Sequence, residues 1–227
     1  MELHNLYTYA FLNTPDVPLD LPIGFAGQVL LVDSVGLSVL VEPGLPLELL
    51  QNHDEKLVEM VLTHDRVINE VFRQTSVLPL RFGTSFISKT SLLTHLKSNV
   101  NEYREKLKNI NGKSEYLVKL IPCQLEQPES LVKVSGKQYF LAKKQRYQNQ
   151  QDFETAQNTE WHHLIDSMSQ LYQSTVVAQP QGEEQQIYLL VNSQDEALLI
   201  EQILNWQQDC LHWQLHLGGA FPPYHFI

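Results

Sequence analysis

Lysine and arginine are missing from the last 81 residues of this 227-residue chain. All 16 basic residues lie within residues 1–146, where 16 Asp and Glu balance them. Residues 147–227 carry 10 Asp and Glu and 15 Gln, and with them the whole net charge of −10. Binding to a nucleic-acid backbone needs several cations to neutralise phosphates, and an anionic lipid surface makes the same demand. Neither nucleic acid nor a lipid membrane is therefore expected as a partner. The acidic stretch reads either as a solubilising face or as a surface that meets a basic partner.

Cysteine is scarce as well. Cys123 and Cys210 are 87 positions apart, which is no metal-ligand spacing. The opening Met1-Glu2-Leu3-His4 has no basic stretch leading into an apolar one, so no secretory signal is expected. Both cysteines are then expected as free thiols in a reducing compartment, Cys210 as a small buried hydrophobe. No apolar run reaches the ~18 residues of a membrane span.

Catalytic signatures are also missing. There is no H-E-x-x-H, no G-x-S-x-G, no Walker loop and no zinc spacing. Histidines are plentiful but dispersed. His212 and His216 would stand ~13 Å apart along one strand, and His162 and His163 diverge by about 100° on a helix. His64-Asp65 has no Ser or Cys nucleophile assigned near it. Glu183-Glu184 and Asp195-Glu196 fall in a turn and at a helix start, where the macrodipole accounts for acidic residues. Gly24-Phe25-Ala26-Gly27 lacks the third glycine and the following helix of a phosphate cradle, and reads as a turn before a hairpin. The chain is expected not to be an enzyme and to hold no metal and no cofactor.

What is present is the material of a globular protein: 43% hydrophobic and 19% charged residues in 26.2 kDa, enough for one large domain or two small ones. Alternation and β-branched or aromatic enrichment predict strands over 6–12, 29–32, 37–41, 77–82, 116–121, 175–178, 187–191 and 211–217. Helical spacing predicts helices from near Asn52 to Phe72, over 90–110, over 137–173 and from Ser193 to Asp209. Asn52/Glu55 and Ser193/Glu196 have capping-box spacing. In the first helix Leu57, Val58, Val61, Leu62, Ile68, Val71 and Phe72 form a single apolar stripe. The element order predicts an α+β protein of two domains. Residues 1–112 form a small mixed sheet with two helices on one side. Residues 113–227 form a ferredoxin-like βαββαβ variant ending in an aromatic tail.

Two segments stand out. Val77-Leu78-Pro79-Leu80-Arg81-Phe82-Gly83-Thr84 is a strand with an internal proline that exits into Gly-Thr. Its Arg81 reads either as a buried tie to the other half or as part of a contact surface. The C-terminus, Gly218-Gly219-Ala220-Phe221-Pro222-Pro223-Tyr224-His225-Phe226-Ile227, is aromatic and stiffened by prolines where a terminus is usually polar and frayed. It has to dock, on its own chain across the domain boundary or on a partner protein. The candidate contact residues are Arg81, Phe82, Gly83, Thr84, Phe221, Pro222, Pro223, Tyr224 and Phe226.

On these segments the chain resembles the gas vesicle protein F/L family (GvpF/GvpL) over essentially its whole length. Leu6-Tyr7-Thr8-Tyr9-Ala10-Phe11 resembles the family's first strand. Val77 to Thr84 resembles its central motif, and Gly136-Lys137-Gln138-Tyr139-Phe140-Leu141 its Gly-x-x-Tyr-Phe/Leu helix start. The tail resembles the Gly-Pro-Trp-Pro-Pro-Tyr-x-Phe ending, with Ala220 in place of Pro and Phe221 in place of Trp, and is nearer the F than the L members. The resemblance implies a minor gas vesicle protein of the cytoplasm without enzymatic activity. It would be a structural or assembly accessory that binds the small hydrophobic shell subunit, and other minor gas vesicle proteins, and limits shell aggregation during nucleation. The alternative is a ferredoxin-like module that binds a small regulatory molecule in a pocket.

Overall fold

A computed structural model describes residues 4–45, 54–125, 136–180 and 182–227. The chain divides into two compact units, Met1–Glu115 with Ala220–Ile227, and Tyr116–Gly219. The division thus falls between Glu115 and Tyr116 rather than at residue 112. The last eight residues, which the sequence reading kept with the second domain, pack with the first.

The first unit is built on β1 (His4–Asn13), β2 (Leu30–Ser34), β3 (Leu37–Pro43), α1 (Asp54–Phe72), β4 (Leu78–Pro79), β5 (Ser85–Ser88) and α2 (Lys89–Ile110). The sheet order is β2-β3-β1-β4, with β5 also paired to β1. The β1 pairings with β3, β4 and β5 and the β2–β3 pairing are all antiparallel, so the sheet expected as mixed is antiparallel. A register shift between Thr8 and Ala10 turns β1 over. Tyr7, Tyr9, Ala10 and Leu12 accordingly share one core with Met60, Val67, Ile68 and Val71 of α1. Phe11 faces the other way, its ring 4.5 Å from that of Tyr103 on α2. The two helices therefore cover opposite faces, not one side. This is why Leu37 to Glu42 of β3 is buried without alternation.

The expected strand over 77–82 shortens to Leu78–Pro79 at the edge of the sheet, where a residue without an N–H is tolerated. The chain then turns and pairs with β1 again as β5, a strand absent from the sequence reading. The Asn52 cap lies outside the described residues. A capping box does occur at α2, between Ser88 and Ser91.

The second unit holds β6 (Lys113–Pro122, shared with the first at its start), α3 (Lys137–Leu171), β7 (Thr175–Val177), β8 (Gln185–Asn192), α4 (Glu196–Asp209) and β9 (Trp213–Leu217). Its sheet order is β7-β8-β6-β9, so a strand of each βαβ unit splits the other, as in ferredoxin-like folds. Tyr116, Val118 and Leu120 of β6 and Ile187, Leu189 and Val191 of β8 alternate into one core with Leu164 and Met168 of α3 and Leu199, Ile203 and Trp206 of α4. The expected Ser193 cap is a 3-10 turn over Ser193–Asp195, in which the Asn192 amide donates to Asp195 (2.8 Å). Leu211, expected to point inward, is 76% exposed, and β9 starts two residues later.

Both cysteines are free thiols. Cys210 is buried and its Sγ donates to Glu160 (3.1 Å); burial, more than the neighbouring carboxylate, pushes this thiol up. Glu160 also receives the backbone N–H of His212 (2.8 Å) and lies 2.6 Å from its Nδ1. Burial pulls the Glu160 carboxyl up, but the bonds from His212 and Cys210 together outweigh it and hold the group below its ordinary range. His212 is thus a clasp between α3 and the start of β9.

Candidate functional site

The two segments singled out in the sequence meet at adjacent residues of α1. The central motif reaches His64. After β4, the Leu80 N–H donates to the Tyr9 carbonyl (2.9 Å), and the chain reverses over 81–84. The Thr84 N–H and hydroxyl both donate to the Arg81 carbonyl, at 3.1 and 2.6 Å. Gly83 takes φ +86°, a conformation open to glycine. The Thr84 carbonyl in turn accepts both the N–H and the hydroxyl of Thr8, each at 2.9 Å.

Inside this turn lies a buried relay. The Leu80 carbonyl can only accept, so His64 Nε2 carries the proton given to it (3.0 Å). Nδ1 is then the bare nitrogen and accepts from the Tyr7 hydroxyl (2.8 Å), which itself accepts the Gly83 N–H (3.2 Å). The imidazole stacks on Tyr9 and meets Tyr7 and Phe82 edge-on, both with ring centres 5.7 Å away. Burial lowers the His64 pKa below its ordinary 6.5 and raises the Tyr7 phenol to about 12. Of the four candidates here, Phe82 packs inward and Thr84 is half-buried, while Gly83 and Arg81 are exposed. Arg81 is therefore not the buried tie that one sequence reading proposed; among the described residues its side chain makes no hydrogen bond or ion pair. His64 holds the strand end instead, within the first unit.

Tyr7→Phe leaves the Gly83 N–H and His64 Nδ1 without their partner and is expected to cost about 1–2 kcal/mol in urea unfolding. The His64 site also gives a pH signature. Its folded pKa is depressed, so its contribution is complete above pH 6.5. That contribution drains away as pH falls below that value, because the unfolded chain takes the proton first. The stability gap between the wild type and His64→Asn should therefore narrow on acidification from about pH 7.5 to about pH 5; a gap independent of pH would contradict the buried neutral ring.

The tail reaches Asp65. Phe221 forms a two-bond bridge with Glu115, N–H to carbonyl at 2.9 and 3.0 Å. Pro222 and Pro223 are buried, and Tyr224 packs against the α1 core and donates its hydroxyl to Asp65 (2.7 Å). Burial, then the Asp65 carboxylate, raises the Tyr224 phenol. Phe226 is half-buried. The buried Glu115 side chain takes the His225 N–H at 2.9 Å and its Nδ1 at 2.5 Å.

A third clasp was not foreseen. The Gly24–Gly27 segment is the expected turn, closed by a 2.8 Å bond from the Gly24 N–H to the Gly27 carbonyl. Its three following N–H groups all point at the buried Glu42 carboxylate, with the Tyr9 hydroxyl as fourth donor. Phe25 of this turn stands edge-on to Tyr7, and Arg66 of α1 donates to the Ile23 carbonyl (2.6 Å).

What these clasps hold still is a helix that shows apolar side chains to solvent. The core takes Met60, His64, Val67, Ile68 and Val71. Leu57, Val58, Val61 and Leu62, in the first half of the helix, are exposed, Val58 by 59% and Leu62 by 66%; at about 100° per residue Val61, Val58 and Leu62 fan from the edge of the core face to the side opposite it. The single stripe read from the sequence is thus two stripes, one buried and one presented. Among the described residues no group of three or more His, Cys, Asp or Glu is placed to hold a metal, and no helix is long and apolar enough to cross a membrane.

Against known proteins, the family model described as Gas vesicle synthesis protein GvpL/GvpF matches residues 5–227. Gas vesicle protein F1 of Halobacterium salinarum is 33% identical over 122 residues, which are 52% of this chain and 54% of that protein. The match thus spans about half the length of this curated relative. In fold the chain is similar to the crystal structure of the gas vesicle protein GvpF from Anabaena sp. PCC7120 (TM-score 0.72, 16% identity, 98% of this chain and 95% of that one). It is equally similar to that of GvpF from Microcystis aeruginosa (TM-score 0.72, 15% identity, 98% of each). The family match covers nearly every residue, including both segments that grip α1, and the chain belongs to the gas vesicle synthesis protein GvpL/GvpF family.

Proposed function

We propose that this chain is an accessory of gas vesicle assembly that binds the hydrophobic shell subunit through the exposed stripe of α1 and keeps it from aggregating while the vesicle nucleates. The observation that carries the reading is that stripe: Leu57, Val58, Val61 and Leu62, presented on a helix pinned one turn later at His64 and Asp65. A helix face held rigid loses little entropy on docking, and apolar contact is the interaction a strongly hydrophobic partner offers. The motif at 77–84 and the tail act in this reading by positioning α1. Other minor gas vesicle proteins are the further partners, and the vesicle in the cytoplasm is the place of action.

The test is co-expression with the shell subunit and co-purification. Val58→Asp with Leu62→Asp removes about 2 kcal/mol of apolar contact, so capture of the shell subunit should fall more than tenfold while the unfolding midpoint is unchanged. Undiminished capture by this variant would remove α1 as the contact. A wild-type chain that never associates with the shell subunit would remove the function itself.

A further inference from the structure

The second unit carries a surface that shell binding does not use. Of residues 137–149, the first third of α3, only Ala142 is even half-buried, which leaves ~20 Å of helix standing in solvent. This arm has no acidic residue and contains Lys137, Lys143, Lys144 and Arg146, the last cations in the chain. It also exposes Tyr139, Phe140, Leu141 and Tyr147, with Phe140 70% accessible. At about 100° per residue, Tyr139, Phe140, Lys143, Arg146 and Tyr147 fall within one half of the helix surface. The ammonium of Lys143 stands 5.9 Å from the centre of the Tyr147 ring, and Tyr139 and Phe140 meet edge-on. One face is therefore both basic and aromatic.

The matching chemistry is in the same unit. The outer face of α4 exposes Leu198 (62%), Ile200 and Leu204, with Glu201 and Asp209 beside them, and α4 has no cation. We propose that in a second copy of this chain the α4 face of Leu198, Glu201 and Leu204 receives the α3 arm through Phe140, Lys143 and Arg146. Charge complementarity selects the occupant: an acidic, apolar face without cations fits a cationic, aromatic helix of about the same length, and each copy supplies one of each. The two patches are different, so the contact is head-to-tail and repeats from copy to copy instead of closing as a two-fold dimer. Residues 147–227, with a net charge of −10, would otherwise repel those of another copy. The arm supplies the only cations in residues 137–227 with which to overcome that repulsion.

The experiment uses the full chain alone, with no shell subunit, so its outcome is independent of shell binding. Sedimentation velocity over a wide concentration range should show concentration-dependent oligomers at low salt and monomer at about 0.5 M salt, since exposed charge pairs are screened there. The arm variant Lys143→Glu/Arg146→Glu and the helix variant Glu201→Lys/Asp209→Lys should each be monomeric at low salt. Mixed in equal amounts they should associate again, because an acidic arm then meets a basic α4 and the reverse. Phe140→Ser should weaken assembly at least tenfold with all charges intact. A wild type that is monomeric at every concentration and salt overturns the proposal. So do an arm variant that still assembles and a mixture that stays monomeric, the latter showing that any assembly lost in the single variants was not this contact.

Discussion

Glu42→Gln is expected to destabilise the first unit by about 3 kcal/mol, read as a large fall in the urea midpoint with an unchanged slope. The substitution keeps shape and volume and changes only which atoms can accept. Glu42 Oε2 takes the Tyr9 hydroxyl at 2.5 Å and the Phe25 N–H at 2.8 Å; Oε1 takes the Ala26 and Gly27 N–H groups at 2.6 and 2.8 Å. Four donors converge and nothing opposite accepts. A carboxylate suits this cage at both oxygens, whereas an amide turns two hydrogens toward two donors and leaves both unpaired in a site that is 1% exposed. Gly24→Ala attacks the same cage from outside, since an added Cβ would fall 2.1 Å from Oε2, and should cost a comparable amount. Adding Tyr9→Phe to Glu42→Gln removes one orphaned donor, so the double variant should lose less than the sum of the singles. A Glu42→Gln protein within about 0.5 kcal/mol of the wild type would show that the cage contributes little.

That cage also marks where reading the sequence stopped. Periodicity located nearly all the elements, because alternation and helical spacing report which face of an element is apolar. It could not locate α1's core face. The line Met60, His64, Val67, Val71 has ideal helical spacing, but His64 breaks it for any count of apolar residues. The apolar stripe of Leu57, Val58, Val61, Leu62, Ile68, Val71 and Phe72 therefore takes in exposed residues of the first turns and passes over the buried Met60 and Val67. His64 is buried because Tyr7, 57 positions away, satisfies its ring, and no local pattern encodes such a partner. Glu42 is the same case. It ends a run of apolar strand residues, and its partners lie 15 to 33 positions upstream. One signal was available: a single acid in an otherwise continuous buried strand, preceded by a Gly-x-x-G turn with N–H groups to spare, suggests an internal anion cradle.

The segments that carried the family resemblance were legible as important but not as to how. The motif at 77–84 read as a short strand in which Pro79 argues for an edge or a bulge, and β4 does lie at the end of the sheet order. Pro79 lies opposite Ala10 on this edge strand, Leu80 still donates to the Tyr9 carbonyl, and the chain leaves β1 only in the turn where Gly83 meets Tyr7. The tail read as something that must dock, and hydrophobicity alone could not choose the surface. The choice is made by a buried acid. Glu115 follows Ser114 in a strand whose next residues alternate into the second unit's core, and its carboxylate would be stranded without a donor from elsewhere.

Removing that donor gives the second large effect, and its sign depends on pH. The Glu115 side chain is fully buried, and burial raises its pKa above the ordinary 4.5 although both bonds from His225 pull it down. With the folded value above the unfolded one, stability is greatest below pH 4.5 and declines as pH rises, because the unfolded chain loses its proton first. His225 limits the decline by favouring the carboxylate. His225→Ala should therefore cost little near pH 4 and more at pH 7, by about 1 kcal/mol, a modest figure because the imidazole is 39% exposed. Deleting residues 220–227 strips the Phe221 bridge, the buried prolines and the Tyr224 ring as well, and should cost at least about 3 kcal/mol at pH 7. Tyr224→Phe keeps the ring and loses only the Asp65 bond, so it should stay within about 1.5 kcal/mol. A His225→Ala deficit that is larger at pH 4 than at pH 7 would mean that Glu115 does not depend on His225 for its charge. In that case the tail is held by its packing, the Phe221 bridge and the Tyr224–Asp65 bond, and the full deletion should show no pH dependence beyond that of the wild type.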